Sequence, residues 1–151
     1  MMLSHVNDKN QPAMVDVSEK AATRRVARAR AVVDLPDAVA AAITGGDIAG
    51  PKGPVFQTAI IAGVMAAKKT SELIPLCHPI GLEDCQIEIR LATPKTLHVE
   101  CTTVVTHKTG VEMEAMTGAA IAALTIYDMC KALSHGIVIR EVRLIEKHGG
   151  K

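Results

Sequence analysis

Aromatic side chains are almost absent from this chain of 151 residues, which has one Phe, one Tyr and no Trp. Proteins that recognise single-stranded nucleic acids usually stack bases on aromatic rings. They also present a positive field to the phosphates, whereas the formal net charge here is only +1. The sequence therefore argues against a nucleic-acid partner.

Long apolar runs and paired cysteines are missing as well. No apolar run approaches the length of a membrane span, and residues 1–16 contain no apolar signal core. The four cysteines form no C-x-x-C pair, so we predict neither zinc nor any other metal. We expect a soluble, cytoplasmic protein with reduced cysteines, no cofactor and no membrane partner.

Hydrophobic residues nevertheless make up 48% of the chain, so a core can form from Ala, Val, Ile, Leu and Met. The length suits one domain. Small side chains bury little apolar area each. A chain of this kind often completes its core against another copy of itself, and we therefore expect a homo-oligomer.

The alternation of polar and apolar residues predicts the order strand, helices, strand, strand, helix, strand. The predicted strands cover 23–33, 84–92, 97–106 and 137–146, the helices cover 36–44, 55–73 and 111–133, and the loops cover 46–54 and 74–81. This order is typical of an α+β, ferredoxin-like fold, an antiparallel four-stranded sheet with helices packed on one face. We expect residues 1–20 to be a flexible N-terminal segment and residues 21–151 to be a single ferredoxin-like domain.

Two carboxylates, Glu112 and Glu114, lie at the predicted start of the longest helix. Thr109 and Glu112 have the spacing of a capping box, in which each side chain bonds the backbone N–H of the other residue. Acidic residues in the first turn also suit the helix dipole. Capping therefore accounts for Glu112 without any function, but it explains Glu114 less well.

The other end of this helix carries Asp128 and Lys131, which are three residues apart and hence neighbours on one face. Glu114 and Asp128 share roughly the same face but are about 21 Å apart along the axis. These charges fit ordinary helix ends that reach water. They also fit a site at the Asp128 end, with Glu114 serving a different site or the same site of a neighbouring subunit.

Further polar residues lie on loops and at the C-terminus. Lys52 precedes a predicted helix, where it suits either a bound phosphate or solvent. His78, between two prolines, suits acid–base chemistry or a structural hydrogen bond. Lys147 and Lys151 surround Gly149 and Gly150, as in an anion-binding tail or a frayed terminus. Together these side chains favour a phosphorylated small molecule over a metal or a macromolecule.

Four segments carry a family resemblance: MVDVSEKAATRR at 14–25, KGPVFQTAIIAGVMAAKKTSELIPLCHPI at 52–80, KTGVEMEAMTGAAIAALTIYDMCKAL at 108–133 and VRLIEKHGGK at 142–151. They closely resemble the cyclic pyranopterin monophosphate synthase family, the molybdenum cofactor biosynthesis C proteins. The resemblance covers about residues 13–151. Its motifs LIPLCHP and KTGVEMEA are highly specific.

The resemblance implies a ferredoxin-like catalytic domain at residues 21–151. It implies a hexamer built as a trimer of dimers, with active sites at the dimer interface. The implied substrate is a cyclised dihydro-GTP made by a preceding radical enzyme. The implied reaction rearranges this compound into cyclic pyranopterin monophosphate and releases pyrophosphate.

The resemblance also assigns residues. The residues that correspond to the family's catalytic residues are Lys52, Asp128 and Lys131. Those that correspond to its substrate-binding residues are Arg25, His78, Glu112, Met113, Glu114, Lys147 and Lys151. The aspartate and Lys131 would transfer protons, and Lys52 would hold a phosphate or act as an acid. The remaining cations would bind the triphosphate, and the glutamates would accept hydrogen bonds from the guanine-derived ring.

The chain departs from the family at Ile60, where many relatives carry Arg or Gln, so we expect one polar substrate contact to be missing. Two rival functions are a non-catalytic nucleotide-binding module and a structural oligomerisation protein. The first would not need Asp128 beside Lys131, and the second would bind no nucleotide.

Overall fold

The computed structural model describes residues 5–150. In chain order the elements are β1 (Thr23–Asp34), α1 (Asp37–Ala40), β2 (Ile43–Thr44), β3 (Asp47–Gly50), β4 (Gly53–Pro54), α2 (Val55–Lys68), α3 (Thr70–Leu73), β5 (Asp84–Thr93), β6 (Thr96–His107), α4 (Glu112–Cys130) and β7 (Val138–His148).

The four long strands form one antiparallel sheet in the order β5-β6-β1-β7. The register places Ala29 of β1 opposite Cys101 of β6 and Leu144 of β7. Helix α2 connects β1 to β5 through the intervening short elements, and α4 connects β6 to β7. The prediction of an α+β protein with a four-stranded antiparallel sheet is confirmed.

One face of this sheet is lined with small residues and covered by α2 and α4. Ala27, Ala29 and Ala31 of β1 are fully buried there. The opposite face carries charges, among them Glu100, which is 6% exposed and lies 2.6 Å from the Arg30 guanidinium. Burial works to raise the pKa of Glu100, but hydrogen bonding and charge from Arg30, with the charge of Arg90, hold it below its usual range.

The two long helices touch at a pair of glycines. A Cβ atom on Gly63 of α2 would lie 2.7 Å from the carbonyl oxygen of Gly118 of α4. A Cβ atom on Gly118 would lie 2.6 Å from the sulfur of Cys101 in the sheet below. The helices can therefore pack this closely on each other and on the sheet only because these positions carry no side chain.

The predicted loop at 46–54 is wrong, because it forms two strands of a second, three-stranded sheet in the order β2-β3-β4. The predicted helix at 36–44 is likewise too long and ends at Ala40. Gly45 and Gly46 have φ of 61° and 82°, the conformation that joins two strands in a tight hairpin. The adjacent glycines were a hairpin signal that the alanine-rich pattern of 38–42 obscured.

The flexibility of residues 1–20 stays a prediction. In the structure this segment contacts the domain, since the Val15 carbonyl lies 2.6 Å from Nε2 of His78. The backbone oxygen of Ser18 accepts a hydrogen bond from Nζ of Lys108 at 3.2 Å. Within residues 5–150, none of the helices has both the length and the apolar character that a membrane span requires.

We expect Gly63→Ala to lower the free energy of unfolding by about 1–3 kcal/mol, because the new methyl group meets the Gly118 carbonyl. Urea denaturation measures this change. Gly81→Ala is the control, since a Cβ atom there meets nothing within 4 Å. Equal stability of the Gly63 variant and the wild type would show that the helices can separate without cost.

Candidate active site

The hairpin of β3 and β4 holds Lys52 against the C-terminal end of α4. Lys52 occupies the turn between these strands, and a Cβ atom on Gly50 would lie 3.6 Å from the carbonyl oxygen of Met129. Nζ of Lys52 lies 3.2 Å from Oδ2 of Asp128, and Nζ of Lys131 lies 2.8 Å from Oδ1 of the same carboxylate. The structure thus brings together the three residues predicted to be catalytic. We call them the Lys-Asp-Lys cluster.

The electrostatics of this cluster follow from two cations on one carboxylate. Hydrogen bonds from Lys131 and then from Lys52 hold the pKa of Asp128 below its usual range. The hydrogen bond between Lys131 and Asp128 also raises the pKa of Lys131. All three side chains are about half exposed or more, so water screens the pairs. The contact between Asp128 and Lys131 therefore favours an ionised carboxylate beside a protonated amine, and both groups are exposed enough to meet a bound molecule.

Asp47 is a residue that the sequence analysis missed. Its Oδ1 accepts hydrogen bonds from the backbone N–H groups of Ile48 at 2.6 Å and Phe56 at 2.7 Å, and its Oδ2 accepts one from Gln57 at 3.3 Å. Because Pro54, at the N-cap position of α2, makes no side-chain cap bond, Asp47 caps this helix from another strand. It thereby ties the strand before Lys52 to the helix after it. A capping side chain eight residues before the first helical residue has no local sequence signal.

The other end of α4 borders a second group of predicted residues. A cavity of about 280 Å³ is lined by His78, Glu112, Met113 and Glu114, together with Lys20 and Cys77. We call it the His78 pocket. Loop 74–83 lies between α3 and β5 and carries His78 without regular secondary structure, as predicted. Because Nε2 of His78 faces the carbonyl oxygen of Val15 at 2.6 Å, this nitrogen carries the proton.

Glu114 is the most buried acid of the pocket, with 3% of its surface exposed. Burial, with the nearby charge of Glu112, raises its pKa. The Coulombic effect of Glu114, after burial, also raises the pKa of the Cys77 thiol. A carboxyl group held in this way gains most from a ligand that donates N–H groups to it or carries positive charge.

The predicted capping box at Glu112 is wrong. The N-cap of α4 is Val111, which makes no side-chain cap bond, and Glu112 is the first helical residue. A box requires its acid at the third helical position. The Glu112 carboxylate instead folds over Gly110 and lies 3.8 Å from Nζ of Lys147. Glu112 therefore faces the pocket rather than the Thr109 backbone.

A second, larger cavity of about 580 Å³ adjoins this pocket and shares Lys20 with it. Arg25 and Lys147 line it, and the Arg25 guanidinium donates to the carbonyl oxygens of His107 at 3.2 Å and Lys108 at 3.3 Å. We call it the Arg25 cavity. Residues 149–150 fold back over the Arg25 side chain with positive φ, 92° and 72°, which glycine adopts readily. Lys151, the remaining predicted residue, lies outside the described residues.

The predicted site residues thus form two groups at opposite ends of one helix. The Lys-Asp-Lys cluster lies at the C-terminal end of α4, and the His78 pocket with the Arg25 cavity lies at its N-terminal end. Glu114 and Asp128 are separated by about 21 Å of helix. A single chain does not bring the two groups together.

Ile60 belongs to neither group. Its side chain is partly buried and packs against the hydrophobic core. In residues 5–150, no three His, Cys, Asp or Glu side chains gather in a way that would hold a metal ion.

The fold and these side chains define a small α+β protein whose predicted site residues gather at the two ends of its longest helix. The MoaC family model matches residues 14–150, and the chain belongs to the MoaC family.

Several proteins similar to this chain are named cyclic pyranopterin monophosphate synthase. The chain is 52% identical over 149 residues to a cyclic pyranopterin monophosphate synthase from Xanthomonas oryzae pv. oryzae (strain MAFF 311018), covering 99% of this chain and 90% of the relative. It is 48% identical over 151 residues to one from Desulfitobacterium hafniense (strain DSM 10664 / DCB-2), covering 100% and 91%. A molybdenum cofactor biosynthesis bifunctional protein of Synechocystis sp. is 49% identical, and the match covers 99% of this chain and 44% of that protein.

We expect Glu114→Gln to raise the free energy of unfolding at neutral pH by roughly 1–3 kcal/mol, because it removes a buried charge. A carboxyl whose pKa is raised by folding destabilises the protein as pH rises from about 4.5 through the folded-state pKa. The gain should therefore shrink at pH 4, where the wild-type carboxyl binds a proton. Denaturant unfolding at both pH values tests this. The more exposed Glu112→Gln is the control, and a loss of stability in Glu114→Gln at pH 7 would contradict the effect of burial.

We expect Asp47→Ala to cost about 1–2 kcal/mol of stability, because the first turn of α2 loses its cap. Asp47→Asn keeps one acceptor oxygen for the N–H groups of Ile48 and Phe56 and should lose less. Thermal or urea unfolding compares the two variants. Equal losses would mean that the negative charge of Asp47 matters and its hydrogen bonds do not.

Proposed function

We propose that this chain is a cyclic pyranopterin monophosphate synthase of molybdenum cofactor biosynthesis. It converts 3′,8-cyclo-7,8-dihydro-GTP into cyclic pyranopterin monophosphate and releases pyrophosphate. Membership of the MoaC family and the names of its relatives support this function. The observation that carries it is Asp128 held between Lys52 and Lys131, at 3.2 and 2.8 Å.

In this proposal the Lys-Asp-Lys cluster performs the chemistry. Asp128 and Lys131 share a hydrogen bond, so a proton lost by the substrate can be passed between them while the ring system opens and recloses. Lys52 holds a phosphate oxygen or donates a proton. The depressed pKa of Asp128 and the raised pKa of Lys131 describe the free protein, and an anionic ligand that draws the lysines away would weaken both effects.

The opposite group binds the substrate. Arg25 and Lys147 line the Arg25 cavity, where the triphosphate needs several cations, and His78 and Lys151 would add to them. Glu112 and Glu114 accept hydrogen bonds from the N–H groups of the guanine-derived ring, with Met113 beside them. The raised pKa of the buried Glu114 supports this assignment, because a donor ligand would relieve the cost of its charge.

Two copies of the chain are needed to complete such a site. About 21 Å of helix separates Glu114 from Asp128, so the catalytic group of one copy must face the binding group of another. Ile61 and Met65 of α2 and Leu124 of α4 leave 52–61% of their surface exposed and offer an apolar contact for a second copy. We propose a homo-oligomer, a hexamer built as a trimer of dimers, with active sites at the dimer interface.

The finer description of the fold belongs to the same proposal. The element order β-α-β-β-α-β and the strand order β5-β6-β1-β7 are those expected of a ferredoxin-like domain, with β2, β3 and β4 as an addition that presents Lys52. We place the enzyme in the cytoplasm. All four cysteines are free thiols, as is usual in a reducing compartment.

The first experiment is an assay of the purified protein with the cyclised dihydro-GTP, with product detected by mass spectrometry. We expect product from the wild type and a loss of about 10²–10⁴-fold in Lys52→Ala, Lys131→Ala and Asp128→Asn, because each removes a proton-transfer or positioning group. Lys95→Ala, which removes a surface ion pair with Asp37, is the matched control and should keep full activity. A folded wild type without product would favour a non-catalytic nucleotide-binding module, and an active Asp128→Asn would remove Asp128 from the mechanism.

Co-expression of Lys131→Ala with Glu114→Gln tests whether each site combines residues of two copies. Each variant alone should be inactive, while a mixed dimer contains one site with both residues intact. Random pairing makes half of the dimers mixed, so we expect about a quarter of the wild-type activity. Inactive mixtures with confirmed subunit mixing would mean that each site belongs to one chain.

A further inference from the structure

Two thiols meet beneath the crossing of the long helices. Sγ of Cys85 on β5 lies 3.8 Å from Sγ of Cys101 on β6. The register places Cys85 opposite Thr103 and Cys101 opposite Ile87, so the two cysteines are diagonal neighbours on the helix-facing side of the sheet. Neither belongs to the Lys-Asp-Lys cluster, the His78 pocket or the Arg25 cavity.

The two sulfurs differ in exposure and in thiol pKa, as expected when one thiol reacts first and the other follows. Cys85 is only partly buried, whereas Cys101 is completely buried. The hydrogen bond from Cys101, with a smaller effect of the Lys68 charge, lowers the pKa of the Cys85 thiol against the opposing effects of burial and Asp84. The same contact and burial raise the pKa of the Cys101 thiol. Cys85 is therefore the thiol that reacts first, and Cys101 is the resolving thiol that attacks it afterwards.

We propose that Cys85 and Cys101 form an oxidisable dithiol, a modification site that closes to an intramolecular disulfide when the protein meets hydrogen peroxide. The Cys85 thiolate attacks one peroxide oxygen, the O–O bond breaks, and Cys85 becomes a sulfenic acid as the first water leaves. The sulfur of Cys101 then attacks the sulfur of Cys85 and displaces the second water. Two thiols lose two electrons and two protons in total, and one peroxide becomes two waters.

Closing the disulfide requires the backbone to move at Cys85, which lies near one end of an edge strand. β5 is an edge strand of the sheet, and Cys85 is its second residue. Cys101 is held in place, because its sulfur lies directly below Gly118 of α4. A disulfide needs the sulfurs to approach to about 2 Å, and diagonal pairs in a sheet are wider than the usual disulfide span. The bond should therefore be strained and readily reduced by thiols.

The other two cysteines provide an internal comparison. Burial raises the pKa of Cys77, with a further contribution from Glu114, and burial raises that of Cys130. Thiols in such surroundings form less thiolate and react more slowly with peroxide. The proposal thus predicts that Cys85 and Cys101 are oxidised while the other two cysteines stay reduced. This proposal goes beyond the proposed function and does not depend on it. Its test detects a disulfide bond by mass and does not require the enzyme activity.

The test is to treat the native protein with hydrogen peroxide, remove the excess with catalase, and alkylate under denaturing, non-reducing conditions. We expect the intact mass before alkylation to fall by two hydrogen atoms, with two fewer alkyl groups taken up than by the reduced protein. Proteolysis should yield one linked pair of peptides that contain Cys85 and Cys101. Dithiothreitol should restore full alkylation.

Variants separate the two steps. In Cys101→Ser, whose hydroxyl keeps a hydrogen-bond donor beside Cys85 but cannot form a disulfide, the Cys85 sulfenic acid should persist and react with dimedone, while Cys85→Ser should show neither linkage nor the dimedone adduct. Cys77→Ser is the matched control and should form the disulfide like the wild type. Because the wild-type peptide map decides the proposal alone, it stays testable if a variant fails to fold. Oxidation of Cys77 before Cys85, or a wild type that stops at sulfenic acid without linkage, would overturn it.

Discussion

The close approach of α2 and α4 to each other and to the sheet is the constraint on which the rest of the structure depends. Gly63 and Gly118 leave no room for a Cβ atom at the crossing. The strand beneath contributes Ala27, Ala29 and Ala31, all fully buried. With so few large side chains, dispersion contacts have to come from short distances between backbones rather than from bulky groups. The scarcity of aromatic residues therefore fits this packing, because the close approach of the backbones leaves little room for large side chains.

This packing determines where the polar residues can be. The middle of α4 contains buried alanines and Ile126, and its exposed position there is the apolar Leu124, so the charged side chains of the helix lie at its two ends. At the C-terminal end Asp128 meets lysines from its own helix and from the β3–β4 hairpin. At the N-terminal end Glu114 is buried against the loop that carries His78. The two groups are consequently as far apart as the helix is long, and the proposed pairing of two chains follows from that separation.

Sequence patterns predicted the large elements well, because β1, β5 and β6 mostly alternate polar and apolar residues along their length. They failed for residues 46–54, where strands of two and four residues are too short to show any alternation. They also failed for Glu112, since the capping-box spacing fits but the helix begins later than Thr109 requires. The role of Asp47 depends on contacts across a hairpin, which no local pattern encodes. The contact of Asp128 with Lys131 was predictable from spacing alone, whereas its contact with Lys52 required the fold.

The rigidity of α4 has a mechanical consequence. The helix runs without a break from Glu112 to Cys130 and is wedged between α2 and the sheet, so it can tilt or slide only as one rod. A displacement of the helix axis at the buried Glu114 end would also move Asp128, because both residues belong to the same unbroken helix. In a two-fold dimer that joins opposite ends of two such rods, each rod would belong to both active sites. Occupation of one site would then alter the geometry of the other through the backbone of α4, with no contact between the two ligands.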